Sequence, residues 1–210
     1  MNTMSRMLFR VRRCARDMLA DCRGIAATEF AVIVPIMLVM FFGTVEFSSG
    51  VAVDRKVTLM ARTLSDLTSQ SISVADTDVS NFVAASCAIM TPYSAAPTNG
   101  TITELYVDPS TLQARVQWSR SATVDSSCNV TLATGRTVSS VVTIPSQLAV
   151  AGTYLLFSEI SYIYVPTIGY VMAKTGVNLK DVAYTRPRQS SCVIYPTPST
   201  GSSMPACPTS

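Results

Sequence analysis

IAATEFAVIVPIMLVMFFGTV, residues 25–45, is an apolar run of 21 residues interrupted by Thr28, Glu29 and Thr44, all near its ends. A helix needs about 20 apolar residues at ~1.5 Å each to cross a hydrocarbon layer of ~30 Å. The run has that length and a clean middle, so it is expected to form one transmembrane helix. A soluble core helix would be shorter or striped with polar residues.

Charge on either side of the run sets the expected orientation. Before it, Arg6, Arg10, Arg12, Arg13, Arg16 and Arg23 stand against Asp17 and Asp21, a net +4, whereas residues 51–210 carry ten Lys/Arg and nine Asp/Glu. Positive residues beside a span stay cytoplasmic. Residues 1–24 therefore read as a basic cytoplasmic leader, and the chain beyond residue 45 reads as exported. The net +3 of the whole chain is a topology signal rather than a nucleic-acid surface, because the exported part lacks clustered Lys/Arg interleaved with aromatic residues. Hydrophobic residues make up 48% of the chain, and their excess is concentrated in the run. The roughly 160 residues that follow suffice for one ordinary domain.

The six cysteines divide in the same way. Cys14 and Cys22 fall in the leader, where the cytosol keeps thiols reduced, and Cys87, Cys128, Cys192 and Cys207 fall in the exported part. Four cysteines allow three pairings. The pairing of sequence neighbours, Cys87 with Cys128 and Cys192 with Cys207, is the one expected, the second closing a Pro/Ser/Thr-rich loop. No C-x-x-C spacing and no histidine occurs, which argues against a zinc or other metal site.

At the cytoplasmic edge of the run, Gly24-Ile25-Ala26-Ala27-Thr28-Glu29-Phe30 reads G-x-x-x-x-E-F, followed by Pro35, Gly43 and Glu46. This pattern resembles the TadE/TadG-like family of tight-adherence (Flp, type IVb) pilus assembly proteins. Further along, P-Y-S at residues 92–94, W-S at 118–119, E-I-S-Y-x-Y-x-P at 159–166 and A-Y-x-R-P-R at 183–188 are similar to that family's exported domain. The resemblance implies a pseudopilin-like protein of the inner membrane, cut by a prepilin peptidase between Gly24 and Ile25, with Glu29 as fifth residue of the mature chain. It also implies docking to other pilin or pseudopilin subunits and to the assembly platform, with no cofactor. A free ammonium at Ile25 and the Glu29 carboxylate one turn along would compensate each other, within one subunit or between two, where either alone in lipid costs several kcal/mol.

Simpler readings stand beside these. Glu29 can snorkel to the headgroups, Pro35 can serve plain packing or bend the helix, and Gly43 can let another helix approach closely. Gly50-Val51-Ala52 offers small residues for a signal peptidase, although the run is long for a cleavable signal.

Past the span, Val53, Val57, Met60, Leu64 and Leu67 recur at helical spacing with Arg55, Arg62 and Asp66 on other faces, so residues 46–70 predict an amphipathic helix. Its stripe needs its own sheet or a neighbouring helix as cover, and Ser48-Ser49-Gly50 allow a bend at its start. Residues 71–210 are expected to form the rest of a periplasmic α+β domain with a Ser/Thr/Pro-rich tail, and the family-like segment is expected over about 24–66. Asp78 is expected to cap a helix over 76–90. Strands are expected at 102–107, 112–119, 137–144, 154–165 and 177–185, with Asp108-Pro109-Ser110-Thr111 as a hairpin turn. Leu112, Ala114, Val116 and Trp118 alternate with polar residues as one buried face, Trp118 acting as a core anchor. The apolar residues 167–174 read as a buried turn or, if exposed, as a contact surface. The whole is an antiparallel-sheet, pilin-like architecture behind a single transmembrane helix.

Catalysis is not expected. Without histidine no Ser/His/Asp or Cys/His arrangement can form. Tyr170 and Lys174 have the spacing of a dehydrogenase pair, but no G-x-G-x-x-G turn accompanies them. Asp76 and Asp78 lack the glycine and distal Glu of a calcium loop. The function that remains is structural, with an unprocessed membrane-anchored binding domain as the alternative.

Overall fold

The computed structural model describes residues 23–96, 98–166, 176–195 and 207. The leader to residue 22, with Cys14 and Cys22, and the apolar stretch 167–174, with Tyr170 and Lys174, lie outside the described residues. The chain divides into two units, Met1–Phe47 and Ser48–Ser210. A single helix, α1 (Arg23–Ser69), contributes to both.

In the first unit, α1 is long and apolar enough to cross a membrane. Its apolar side chains are left uncovered, Phe30 and Met40 each being 69% exposed. Pro35 lies inside the helix without ending it. The Thr44 hydroxyl donates to the Met40 carbonyl oxygen at 2.8 Å, so this polar group is satisfied within the helix itself.

In the second unit, Ser48, Ser49 and Gly50 are helical. From there α1 lays Val53, Val57, Met60 and Leu64, each at most 1% exposed, onto a sheet. Burying side chains of this size stabilises by about 1.5–3 kcal/mol each, more than the serine and glycine propensities cost. Gly100 leaves room for the Ile160 side chain of the adjacent strand, since a Cβ there would stand 3.0 Å from Ile160 Cδ1, and it would meet Leu64 of α1 at 3.9 Å. Polar ties fix the register: Ser158 Oγ donates to the Ala61 carbonyl at 2.6 Å, and Ser65 Oγ to Thr185 Oγ1 at 2.9 Å.

After α1 comes α2 (Asp76–Cys87), which ends in a 3-10 turn, Ala88–Met90. Its N-cap is Ala75, not Asp78 as expected. Asp78 sits at the third helical position, and its carboxylate accepts the Ala75 N–H at 2.9 Å, reaching back to the donor from inside the helix.

The sheet is antiparallel. Its strands are β1 (Thr98–Val107), β2 (Ala114–Val124), β3 (Val130–Thr134), β4 (Val141–Val142), β5 (Tyr154–Tyr164) and β6 (Val177–Thr185). The order is β3-β2-β1-β5-β6, with β4 also pairing β2. An α+β domain behind one long N-terminal helix is thus what the chain forms.

Three strand expectations are corrected. The strand over 137–144 shrinks to β4: Ser139 has φ +65°, and the Ser140 N–H and Oγ both bond the Thr137 carbonyl, so residues 137–140 turn instead of extending. The third strand is β3, in the Ser/Thr-rich stretch that had no assignment. The hairpin turn is longer than expected, because Leu112, with φ +56° and 51% exposed, belongs to it and not to the buried face.

The third correction concerns Trp118. Between Glu104 and Leu105 the register slips from Trp118 to Val116, leaving Gln117 as an extra residue on β2. One inserted residue reverses the alternation. Ala114 and Val116 therefore join the core on the open face of the sheet, with Leu105 and Phe157, while Trp118 joins the core under the helices.

Candidate functional site

The residues singled out from the sequence in α1 lie along one helix rather than in one pocket. Gly24 is exposed in the first turn, so the Gly24–Ile25 bond starts the helix; the side chain of Ile25 is outside the described part. Glu29 lies one turn beyond Ile25 and, like Phe30 and Pro35, is exposed. Gly43 is half-buried, and Glu46 is only 3% exposed. From Gly24 to Glu46 the helix rises about 33 Å, a bilayer's hydrocarbon thickness. Glu29 and Glu46 thus stand near opposite ends of the apolar run.

Two disulfides tie the second unit. Cys87, closing α2, is joined to Cys128 in the β2–β3 turn, with Cα atoms 6.0 Å apart. Cys192 is joined to Cys207 with Cα atoms 5.8 Å apart.

The sequence did not single out Glu104, the most unusual carboxyl in the described residues. It sits on β1 opposite Trp118 at the bulge and has none of its surface exposed. The Val193 N–H donates to its Oε1 at 2.6 Å and the Trp118 Nε1–H to its Oε2 at 2.8 Å, the latter shared with the Val193 carbonyl at 2.9 Å. Burial pushes its pKa up to about 8, against the pull of those two hydrogen bonds. The signal was available: Glu104 shares the parity of Ile102, a core position.

The segment that covers Glu104 is a short C-terminal strap. Ile194 bonds Ile72 and Val74 through its backbone at 2.9 Å each. Tyr195 stacks on Trp118 with ring centres 5.3 Å apart, and its hydroxyl bonds Asp76. Arg120 Nε donates to the same carboxylate at 2.7 Å, and its guanidinium lies 5.6 Å from the centre of the Tyr195 ring. Arg120, and then Tyr195, hold the Asp76 carboxyl below its ordinary pKa. Arg120, Asp76 and Tyr195 are thus linked by hydrogen bonds across the sheet, α2 and the strap. Its geometry clasps the strap to the sheet.

With the helix and the clasp placed, the comparison with known families separates them. Residues 24–64 match the family model for TadE-like protein. The TadE-like segment opens at Gly24, includes Glu29, Pro35, Gly43 and Glu46, and closes at Leu64, the end of the fully buried stripe. It takes in none of the sheet, so Glu104 and both disulfides lie outside it. Searches of the curated proteins and of the solved structures returned no match to the chain. The match likens this segment, and not the sheet domain, to TadE-like proteins.

Proposed function

We propose that the protein is a pseudopilin-like structural component of Flp/tight-adherence pilus assembly, held in the inner membrane by α1 with residues 1–24 cytoplasmic and the sheet domain periplasmic. The observation that carries this reading is the TadE-like match beginning at Gly24 and running through a helix of spanning length. The arginine-rich leader supports the orientation. A prepilin peptidase removes residues 1–24, and the new Ile25 ammonium is answered by Glu29 of the same or a neighbouring subunit. Work comes from other parts of the machine, and this chain supplies helix packing and a docking domain for pilin-type subunits and the platform.

The test is the mature N-terminus, read by mass spectrometry after expression with the cognate peptidase. A chain starting at Ile25 is expected. Retention of Met1 overturns processing and leaves an unprocessed, membrane-anchored interaction domain, while a start near Asp54 points to a secreted one.

A further inference from the structure

We infer that the open edge of β6, with the stretch of α1 beside it, is a docking groove for an extended segment of another protein that carries a carboxylate side chain. The groove belongs wholly to the second unit, and it requires neither the span nor cleavage after Gly24.

The edge is open by hydrogen-bond parity. Val107 exchanges two backbone bonds with the residues leading into β5, from its N–H to the Thr153 carbonyl and from the Gly152 N–H to its own carbonyl, at 2.9 Å each. Odd-numbered residues of β5 therefore turn their backbone groups to β1, and even-numbered ones to β6. Val182 pairs with Glu159 and Tyr184 with Phe157, so the N–H and carbonyl groups of Val182 and Tyr184 point out of the sheet. β6 is last in the strand order. Among the described residues the Val182 N–H is taken by the neighbouring Asp181 carboxylate, at 2.7 Å, and by no further strand.

Beside this edge α1 runs in the same direction as β6: Ser158, opposite Ala183, bonds Ala61, and Thr185 bonds Ser65. Between them lies a groove of about 610 Å³ with Arg62, Asp66, Leu67, Val182, Tyr184 and Arg188 in its walls. Asp66, the one carboxylate in the lining, is already engaged: Oδ1 pairs with Arg188 at 2.5 Å, and Oδ2 accepts from Gln70 at 2.8 Å. Arg62 is exposed and has no ion pair or hydrogen bond among the described residues. Residues 167–175 and 196–206 contain neither Asp nor Glu, so they cannot answer it. An added strand bonds Val182 and Tyr184 through its backbone and turns every second side chain towards α1. An acid at one such position meets Arg62. An apolar residue two further on meets Leu67, because five helical residues rise about 7.5 Å and two strand residues about 6.7 Å.

The full chain in detergent is offered a displayed library of random nine-residue peptides, and the selected peptides are synthesised and titrated by fluorescence anisotropy. Peptides with Asp or Glu inside a β-branched, extended pattern are expected. Arg62→Glu is expected to weaken them about tenfold, and exchanging their acid for Lys to restore binding to that variant. Val182→Pro removes an outward N–H that no ladder bond uses, and a similar loss is expected. If that variant misfolds, protection of the Val182 amide from hydrogen exchange in the peptide complex is read instead. An empty selection, one without acidic preference, or peptides that bind Arg62→Glu or Val182→Pro as tightly as wild type overturn the proposal, as does a Val182 amide that gains no protection. A wild type that is dimeric in detergent and becomes monomeric with Val182→Pro overturns it too, because the edge then belongs to a second copy.

Discussion

The apolar helix leaves Glu29 at an exposed position of its second turn, whereas the sheet takes in Glu104 with none of its surface showing. Both are carboxyls among apolar neighbours, and the difference lies in where their demand for hydrogen bonds is met. Around Glu104 the chain supplies two donors of its own, the Trp118 indole and the Val193 amide. Around Glu29 the described residues supply none of that kind, and in the proposed reading it is answered by the Ile25 ammonium of the same or a neighbouring subunit. A carboxyl that is satisfied internally belongs to the architecture; one left outward is available for assembly. The TadE-like match follows the same division, covering Glu29 and stopping well before Glu104.

The largest expected break in this comparison is a pH dependence of the second unit. Glu104 titrates near 4.5 when unfolded and at about 8 when folded, so between those values the native state holds a proton that the unfolded chain has released. Stability therefore falls as pH rises from about 4.5 to 8, by up to about 5 kcal/mol. Below that window Asp76 acts in the opposite sense: its lowered pKa stabilises above the unfolded value and is lost as pH falls through the folded one. Urea midpoints of the full chain in detergent are expected to peak near pH 4.5–5 and decline towards 8. Glu104→Gln, which cannot ionise, is expected to flatten the decline. An unchanged slope in that variant would place the titrating group elsewhere.

Nearly as large is the contribution of the bridge between Cys87 and Cys128, which closes a segment with a sequence separation of 41. In the chain-entropy treatment a loop of this size is worth about 3–4 kcal/mol. The Cys87→Ala, Cys128→Ala double variant should lose that amount in denaturant unfolding, while insertion of α1 stays unchanged, because the bridge ties α2 to the β2–β3 turn, both within the second unit. A loss of insertion in the double variant would mean that the two units depend on each other for folding.

The same division explains what could be read without coordinates. Strand β6 runs over residues 177–185 as expected, and the stripe from Val53 to Leu64 is buried as its spacing predicted. Those features depend on local periodicity, which a sequence displays directly. The clasp depends on one inserted residue: Gln117 reverses the parity of β2, sends Trp118 to the helix side and brings it opposite Glu104. Simple alternation carries no mark of such an insertion. Nor does the strap, whose pairing of Ile194 with Ile72 and Val74 joins segments about 120 residues apart in a stretch without periodicity. The Ser/Thr-rich residues 137–140 misled in the opposite direction, because β-branched content alone reads as a strand where side-chain hydrogen bonds make a turn.

The smallest stability effect is expected at the residue with the largest expected role. Glu29→Ala removes an exposed carboxyl from α1, so denaturant unfolding of the second unit should shift by less than about 0.5 kcal/mol and membrane insertion should be unaffected. Piliation, scored in cells lacking the wild-type copy, should nonetheless fall sharply. Glu29→Gln separates charge from size and hydrogen bonding: it keeps the volume and an acceptor oxygen but cannot neutralise an ammonium. If charge compensation drives assembly, Gln fails as Ala does and Asp restores part of the function. Full piliation with Gln would mean that the Ile25 amine is neutralised by lipid or not exposed at all, and the outward carboxyl would then be a headgroup anchor, no more tied to assembly than Glu104 is.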